Sequence, residues 1–337
     1  MTAPAQAGFS TLGSQTLVGR CPALVALVER AQCLVRNGFA GALVVGEAGT
    51  GKELLARGLH YAGPESHQPF LSFNSGAVPE HLVGPELLGS HPTLMAGDPP
   101  PRRGILELAA SGTLFIDEIT RIPPELQARL AQAIGERRVC RMGGERPVPV
   151  ACRIVLATTR VPEASLARGE LHPLLFDRVA AATLELPPLR ARGPEDVELL
   201  AQYFLHLHAG EHGLVKKLDR GAIEVLMAYE WPGNVRELRL VVERAAATSE
   251  GPVVRAEHVI VQHRTARSAA SSALAPAAEI HIPAAGRTLA EIEADAIALT
   301  LQLTRGNQSA AARVLGIARP TLARKLRDAG LRSRTPA

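Results

Sequence analysis

Short apolar runs alternate with longer stretches of helical period over the first 190 residues of the chain. Five of these runs have the length and composition of buried strands: Ala42–Val45, Phe70–Phe73, Thr113–Asp117, Arg153–Ala157 and Thr183–Leu186. Because helical stretches separate them, this order predicts an α/β domain with a parallel sheet. After about Pro194 the strand pattern stops, and the sequence predicts a wholly helical subdomain.

A change of composition divides the chain at residues 264–286. This segment, RTARSAASSALAPAAEIHIPAAG, is rich in Ala, Ser and Pro and lacks helical periodicity, which is typical of a flexible linker. Beyond it, Thr288 and Glu291 form a capping box. An apolar stripe follows at helical spacing: Leu289, Ile292, Ala296, Leu299 and Leu303. So short a domain buries this stripe most readily against a second copy, so we expect a dimer; the alternative is packing within its own domain.

The last segment has the pattern of a helix-turn-helix. GNQSAAARVLGIARPTLARKLRDAGL places Gly316 in a turn between two helices, and Leu322 and Leu326 lie four residues apart on the second. From Arg305 onward there are eight basic residues and one acid, a balance of +7 in a chain whose net charge is +4. This asymmetry predicts a polyanionic partner, with a merely solvated tail as the alternative. The candidate contacts to double-stranded DNA are Arg319, Thr321, Arg324, Lys325 and Arg327.

Composition narrows the class of protein. Hydrophobic residues make up 46% of the chain and charged residues 21%, no apolar run is long enough to span a bilayer, and no signal peptide is present. The four cysteines, Cys21, Cys33, Cys140 and Cys152, lack metal or redox spacing. We therefore expect a cytoplasmic protein with reduced thiols and no membrane partner.

The strongest local motif is GALVVGEAGTGKE, a strand followed by a glycine loop and a helix start. Glycines let backbone amides turn toward phosphates, and the helix N-terminus adds positive potential there. Lys52 would pair with the β- and γ-phosphates, whereas Glu53 stands where Ser or Thr commonly supplies a hydroxyl to magnesium. The predicted nucleotide-binding residues of this motif are Gly46, Glu47, Gly49, Thr50, Gly51, Lys52 and Glu53.

A second motif, GTLFIDEI, completes a candidate ATP–Mg²⁺ site. It is an apolar strand that ends in Asp117 and Glu118. Asp117 would hold Mg²⁺, directly or through water, and Glu118 would polarise the attacking water. The alternative is an acidic loop that caps a core strand; the glycine loop upstream favours the nucleotide site.

With these motifs, the chain from about Leu17 resembles the bacterial enhancer-binding activators, the NtrC-like AAA+ partners of sigma-54 RNA polymerase. FLSFNSGAVPEHLVGPELLG, LPPLRARGPEDVELLAQYF and YEWPGNVRELRLVVERA are similar to further segments of that family. The resemblance implies ATP and Mg²⁺ as cofactors. It also implies a hexamer-type ring for the motor, a dimer through the C-terminal domain, and DNA and RNA polymerase holoenzyme as partners.

The same resemblance implies a domain order. It predicts an N-terminal tail at 1–16, a three-layer AAA+ α/β core at 17–190, a helical lid at 191–263, the linker at 264–286 and a Fis-type helix-turn-helix domain at 287–337. With about 16 residues before the motor there is no N-terminal regulatory domain in this prediction. Control would then come from a partner protein, from expression level, or from nucleotide and DNA occupancy.

The resemblance also implies roles for single residues. Asn74 would restrain Glu118, Arg236 would reach the phosphates from the lid, and Arg178 would contact nucleotide across a subunit boundary. Two positions depart from the family. Thr159 stands where the family has Asn, and His172 stands where a first boundary Arg is expected, with an ordinary surface histidine as the alternative. These departures leave the rate of ATP hydrolysis open.

A loop between the two nucleotide motifs departs further. In the family it carries Gly-Ala-Phe-Thr-Gly-Ala and touches sigma-54 through its Phe-Thr tip. Met95 and Ala96 replace that tip here, and Pro99 to Pro101 oppose a helix beneath it. We expect sigma-54 coupling to be lost or altered, through relaxed selection or retuning for another partner. The alternative is an ATP-hydrolysing activator that remodels polymerase through a variant loop. The six positions are Thr93, Leu94, Met95, Ala96, Gly97 and Asp98.

Overall fold

The computed structural model describes residues 9–91, 101–212, 215–261, 296–298, 300, 311–312, 315–317 and 319–328. They belong to two compact units, Met1–Val261 and Gln262–Ala337. The strands are β1 Phe9–Leu12, β2 Gln15–Val18, β3 Gly41–Val45, β4 Phe70–Asn74, β5 Gly89–Ser90, β6 Arg102–Arg103, β7 Thr113–Asp117, β8 Arg138–Cys140, β9 Pro147–Pro149, β10 Arg153–Thr158, β11 Thr183–Glu185, β12 Lys217–Leu218 and β13 Val253–Val254. The α-helices are α1 Pro22–Asn37, α2 Lys52–Tyr61, α3 Glu80–Leu88, α4 Ile105–Leu108, α5 Pro124–Glu136, α6 Pro162–Ala167, α7 Pro173–Val179, α8 Leu189–Arg192, α9 Pro194–His212, α10 Arg220–Ala228, α11 Asn234–Thr248 and α12 Arg319–Asp328.

A five-stranded parallel sheet forms the centre of the first unit, in the order β11-β3-β10-β7-β4. All five predicted strands are confirmed, and each observed end lies within one residue of the prediction. Strands β3 and β10 are buried along their whole length, which explains their continuous apolar sequence.

Helices cover both faces of this sheet and make three layers. Leu43 and Val45 of β3 face a cluster formed by α3, α4, α5 and α7. Val44, between them, faces the opposite cluster, which includes apolar residues of α1 and α2. Because neighbouring residues of a strand point to opposite faces, one strand contributes to both cores. The predicted three-layer α/β architecture is confirmed.

The lid packs around α9, α10 and α11, and its core centres on the fully buried Trp231. The helical lid is confirmed, but the prediction that strands stop after about Pro194 is wrong in one detail. Lys217 and Val253 pair in a short parallel ladder of β12 and β13. Two residues in each strand were too few to leave a periodic signal in the sequence.

In the part of the chain that the structure describes, three further two-stranded ladders lie outside the main sheet: β1 with β2, β5 with β6, and β8 with β9. The first begins at Phe9, so part of the segment predicted as a tail forms a hairpin whose Leu12 packs into the core. Among the described residues, no helix has both the length and the apolar composition needed to cross a bilayer.

The second unit has a small apolar cluster of its own. Ile297, Ala311 and Ala312 pack with Leu322 and Leu326 of α12. Gly316 has φ +67°, a left-handed conformation that suits a turn before a helix. The predicted capping box, Thr288 and Glu291, and most of the predicted apolar stripe lie outside the described residues.

Candidate nucleotide site and DNA-binding helix

The glycine loop joins the buried strand β3 to helix α2. Gly49 and Gly51 have φ +80° and +103°, conformations that side chains with a Cβ rarely adopt. The Lys52 ammonium donates to the carbonyl oxygens of Gly46 at 2.9 Å and Glu47 at 3.2 Å. The Thr50 hydroxyl donates to the same Glu47 carbonyl at 2.8 Å. These bonds hold the predicted phosphate loop in a curved conformation.

Lys52 is buried, and several charged groups act on its ammonium. Its residue surface is 8% exposed, and burial lowers the pKa of its ammonium. Asp117 and Glu118 act in the opposite direction on this pKa, whereas Arg236 adds to the lowering. The loop, the acidic motif and the lid arginine therefore act on one ammonium group.

The acidic motif is held firmly at the end of β7. The Ser75 hydroxyl donates to the backbone carbonyls of Asp117 at 2.8 Å and Glu118 at 2.7 Å. Glu118 has φ 55°, in the left-handed region, and its amide donates to the Asp117 carboxylate at 3.0 Å. A strained residue held by several bonds is a common feature of functional sites.

Two neighbouring strand ends bring polar side chains to this motif. Asn74, at the end of β4, pairs in register with Asp117, and its amide oxygen accepts from the Gly76 amide at 2.9 Å. Thr159 follows β10 on the other side, and its hydroxyl donates to the Glu118 carboxylate at 3.2 Å. Restraint of Glu118 by Asn74 stays a prediction, whereas Thr159 contacts that carboxylate directly.

The lid closes over the tip of the phosphate loop. Asn234, fully buried with φ 52°, donates to the Ala48 carbonyl at 3.0 Å and to the Glu47 carboxylate at 3.1 Å. The Arg236 amide donates to the Gly49 carbonyl at 3.2 Å, while the Arg236 side chain is exposed. A Cβ at Gly49 would lie 2.2 Å from the Gly233 carbonyl oxygen, so the backbones approach closely.

Two arginines that were not predicted as site residues make further contacts with the phosphate loop. Arg190 forms two hydrogen bonds with the Glu47 carboxylate, at 2.8 and 2.5 Å. Arg192 is buried and donates to the Thr50 carbonyl at 3.0 Å. Both lie in LPPLRARGPED, within a segment that resembles the family. No sequence pattern links this segment to the phosphate loop, since Arg190 and Glu47 are 143 residues apart.

Three predicted site residues lie at the edge of this arrangement. Glu53 is exposed in the first turn of α2 and pairs with Arg57 at 2.7 Å. Arg178 is exposed on α7, and its guanidinium packs over Gly135. His172 is a half-buried N-cap of α7, where its Nδ1 accepts from the Leu174 amide at 3.2 Å. A capping role therefore accounts for the side chain of His172.

The predicted partner loop, Thr93 to Asp98, lies outside the described residues. Its base is described: Gly89 of β5 pairs with Arg103 of β6. The Met142 amide donates to the Gly89 carbonyl at 2.9 Å, which ties this ladder to the segment after β8. The described segments on either side of the loop are therefore joined by hydrogen bonds.

In the second unit, α12 presents part of the predicted DNA-binding set. Arg319 and Arg324 are exposed, and Thr321 and Lys325 are half-buried. The side chain of Arg327 lies outside the described residues. Leu322 and Leu326 are buried against the small core, so the basic residues occupy the remaining faces of the helix.

Comparison with known proteins decides the family. The sigma-54 interaction domain matches residues 17–185, the AAA+ ATPase lid domain matches 190–275, and the Fis family of bacterial regulatory proteins matches 288–328. The chain belongs to the NtrC-like, sigma-54-dependent transcriptional regulators. The matched segments comprise an ATP-binding AAA+ domain and a DNA-binding helix-turn-helix.

Similar proteins cover most of this chain. It is 36% identical over 333 residues to the DNA-binding transcriptional regulator NtrC of Azospirillum brasilense, covering 93% of this chain and 69% of NtrC. It is 36% identical to FlbD of Caulobacter vibrioides, covering 95% of this chain and 72% of FlbD. NtrX of Brucella abortus in complex with ADP has a TM-score of 0.65 at 26% identity, covering 94% of this chain and 70% of NtrX.

Proposed function

We propose that this regulator binds ATP–Mg²⁺ at the phosphate loop and duplex DNA through α12, and that its coupling to sigma-54 is lost or altered. One observation supports the proposed nucleotide binding: several charged and polar residues lie together at one edge of the sheet. They are Lys52, Asp117, Glu118, Asn234 and Arg236. Ligands of open parallel sheets bind at this carboxyl edge of the strands.

The residues present fit a nucleoside triphosphate with magnesium. The left-handed glycines Gly49 and Gly51 shape a cradle of backbone amides, and Lys52 adds a cation beside it. Asp117 would hold Mg²⁺ together with the phosphates, an arrangement that needs few protein ligands. Mg²⁺ would supply neutralisation of phosphate charge. NtrX of Brucella abortus has been solved with ADP and with ATP, which supports the nucleotide assignment.

The placement of Glu118, Thr159 and Arg178 supports a proposal of ATP hydrolysis in an oligomer. Glu118 would accept a proton from the attacking water, and Thr159 holds its carboxylate. Arg178 is exposed on α7, where a neighbouring subunit of a homo-oligomeric ring could receive it. A guanidinium there would stabilise charge on the transferred phosphoryl group.

The loop sequence carries the proposal on sigma-54. Met95 is apolar but flexible where the family has a rigid ring, and Ala96 lacks the hydroxyl of the family's threonine. The loop contributes none of the predicted nucleotide-binding residues, so we expect ATP binding to persist while this output is absent. The second candidate is an active sigma-54 activator with a variant loop, favoured by the match of residues 17–185 to the sigma-54 interaction domain.

Two measurements test this proposal. Calorimetric titration with ATP–Mg²⁺ should give binding for the wild type and none for Lys52→Ala, with thermal melting to verify that the variant folds. Unchanged affinity in the folded variant would reject the phosphate-loop assignment. Transcription from a sigma-54 promoter with purified polymerase then separates the candidates, because only the second predicts ATP-dependent transcripts from the wild type.

A further inference from the structure

The phosphate loop contains a carboxylate at its entrance. Glu47 follows Gly46, and both of its carboxylate oxygens accept hydrogen bonds from residues within the AAA+ lid match, 190–275. Arg190 forms a bidentate pair with it, and the Asn234 amide donates to one of the same oxygens. Bidentate pairing of a guanidinium with a carboxylate is specific in geometry as well as favourable in charge.

The negative charge of Glu47 in the phosphate loop should disfavour the binding of ATP, the proposed ligand. ATP brings several negative charges to the loop, and a bare carboxylate beside them would repel these charges. The hydrogen bonds from Arg190 are the largest influence on the pKa of Glu47 and lower it, while burial acts in the opposite direction. Glu47 is therefore ionised at neutral pH, and Arg190 is the cation paired with it.

The Arg190–Glu47 ion pair is too exposed to contribute much to the stability of the fold. The side chains of Arg190 and Glu47 are 48% and 39% exposed, and pairs this exposed contribute little to folding. Docking of the lid also has other bonds, from Asn234 to Ala48, from Arg236 to Gly49 and from Arg192 to Thr50. Loss of the pair should therefore leave the lid docked and the melting temperature nearly unchanged.

We propose that Arg190 is a positioning residue for nucleotide binding, which sets ATP affinity by cancelling the charge of Glu47 in the phosphate loop. The lid thus contributes to the phosphate site through a residue that acts on the loop itself. This inference rests on the proposed ATP binding at residues 46–52. It makes charge balance between lid and loop a determinant of affinity.

Substitutions of Arg190 test this inference, because they separate the effect of its charge from the effect of its packing contacts. Arg190→Met keeps an aliphatic stem but leaves Glu47 unbalanced, and we expect ATP affinity to fall about tenfold at low salt. The defect should shrink at high salt, because screening weakens interactions of exposed charges. Arg190→Lys keeps the charge and should retain affinity within about threefold of the wild type. Arg220→Met, which breaks an exposed lid pair with Glu224, is the matched control.

The double variant Glu47→Gln/Arg190→Met decides the mechanism. It removes both charges, so affinity measured by calorimetry should return to within about threefold of the wild type. Wild-type affinity in Arg190→Met, or a double variant as weak as Arg190→Met, would overturn the inference. Thermal melting of each variant excludes unfolding as the cause. Failure of the wild type itself to bind ATP would instead reject the proposed function.

Discussion

The hydroxyl of Thr159 donates a hydrogen bond to the carboxylate of Glu118 across 3.2 Å. The two residues are 41 positions apart and meet because β10 and β7 are neighbours in the sheet. Glu118 is the candidate base of the proposed hydrolysis, and its backbone is already fixed by Ser75 and Asp117. Thr159 therefore completes the restraint by acting on the side chain.

Removal of this hydroxyl should slow hydrolysis without weakening binding. Thr159→Val keeps a β-branched shape of similar size, and one lost bond to a charged group corresponds to about tenfold or more in rate. We expect the ATP turnover number to fall by about that factor, with an ATP dissociation constant within about twofold of the wild type. Steady-state hydrolysis and calorimetry measure the two quantities.

Thr159→Ser supplies the matched control, because it keeps the hydroxyl. Its turnover number should lie close to that of the wild type. Equal turnover in Thr159→Val and the wild type would show that the hydrogen bond has no part in hydrolysis.

The ion pair of Glu107 in α4 with Arg141 should make the stability of the folded motor sensitive to acid. Glu107 accepts two hydrogen bonds of 2.7 Å from Arg141, and the side chains are 12% and 22% exposed. The bonds from Arg141 are the largest cause that lowers the pKa of Glu107 from its ordinary 4.5, while burial raises it. A lowered pKa in the folded state gives stability that is complete above the ordinary pKa and is lost as pH falls through the folded value.

Glu107→Gln should therefore lower the free energy of unfolding by about 1–3 kcal/mol at neutral pH. The difference between wild type and variant should narrow as pH falls below 4.5, the ordinary pKa of this group. Urea unfolding across a pH series measures both effects. Glu224→Gln, in an exposed pair on the lid, should cost less than about 1 kcal/mol. A difference that stays constant from neutral to acid pH would contradict the assignment to the Glu107 charge.

DNA binding should depend differently on two arginines. Arg319 begins α12 and is exposed, whereas Arg334 belongs to the basic end of the sequence, outside the described residues. The N-terminal residues of a recognition helix meet base edges, and later basic residues meet phosphates. Arg319→Ala should lower discrimination between a selected duplex and random DNA by about 1–3 kcal/mol. Arg334→Ala should weaken binding to both duplexes alike.

Fluorescence anisotropy with duplexes selected from a random library gives both affinities. The wild-type affinity should fall steeply with salt, because neutralised phosphates release counterions. Loss of discrimination in Arg334→Ala but not in Arg319→Ala would reverse the assignment.

Local patterns predicted the frame of the molecule well. The strands that end at Val45 and Asp117 were predicted because an apolar run is a property of a few adjacent residues. Gly49 and Gly51 were predicted in the phosphate loop because left-handed backbone favours one residue type. Short ladders such as β5 with β6 were missed, because two-residue strands have no period to detect.

Contacts between distant segments could not be predicted in the same way. Asn234 and Arg190 reach Glu47 from 187 and 143 residues away, and only the folded lid brings them together. The sequence showed only that Thr159 stands where the family has Asn; its bond to Glu118 depends on strand order. Candidate site residues could thus be proposed one by one from the sequence, but their pairing required the fold.

The proposed loss or alteration of sigma-54 coupling depends on the tip of the partner loop. Met95 and Ala96 replace the aromatic ring and hydroxyl of the family's loop tip. A lost hydrogen bond at a desolvated contact costs about 1–3 kcal/mol, or about ten- to a hundredfold in the population of engaged complexes. ATP binding through Lys52 should be unaffected, because Met95 and Ala96 are not among the predicted nucleotide-binding residues.

The most direct test is to trap the protein with a transition-state analogue of ATP hydrolysis and measure complex formation with purified sigma-54 by native gel. Nucleotide binding in the same samples controls for an inactive motor. We predict no stable complex with the wild type, and a complex with Met95→Phe/Ala96→Thr, which restores the ring and the hydroxyl. A stable, analogue-dependent complex with the wild-type chain would contradict the proposal.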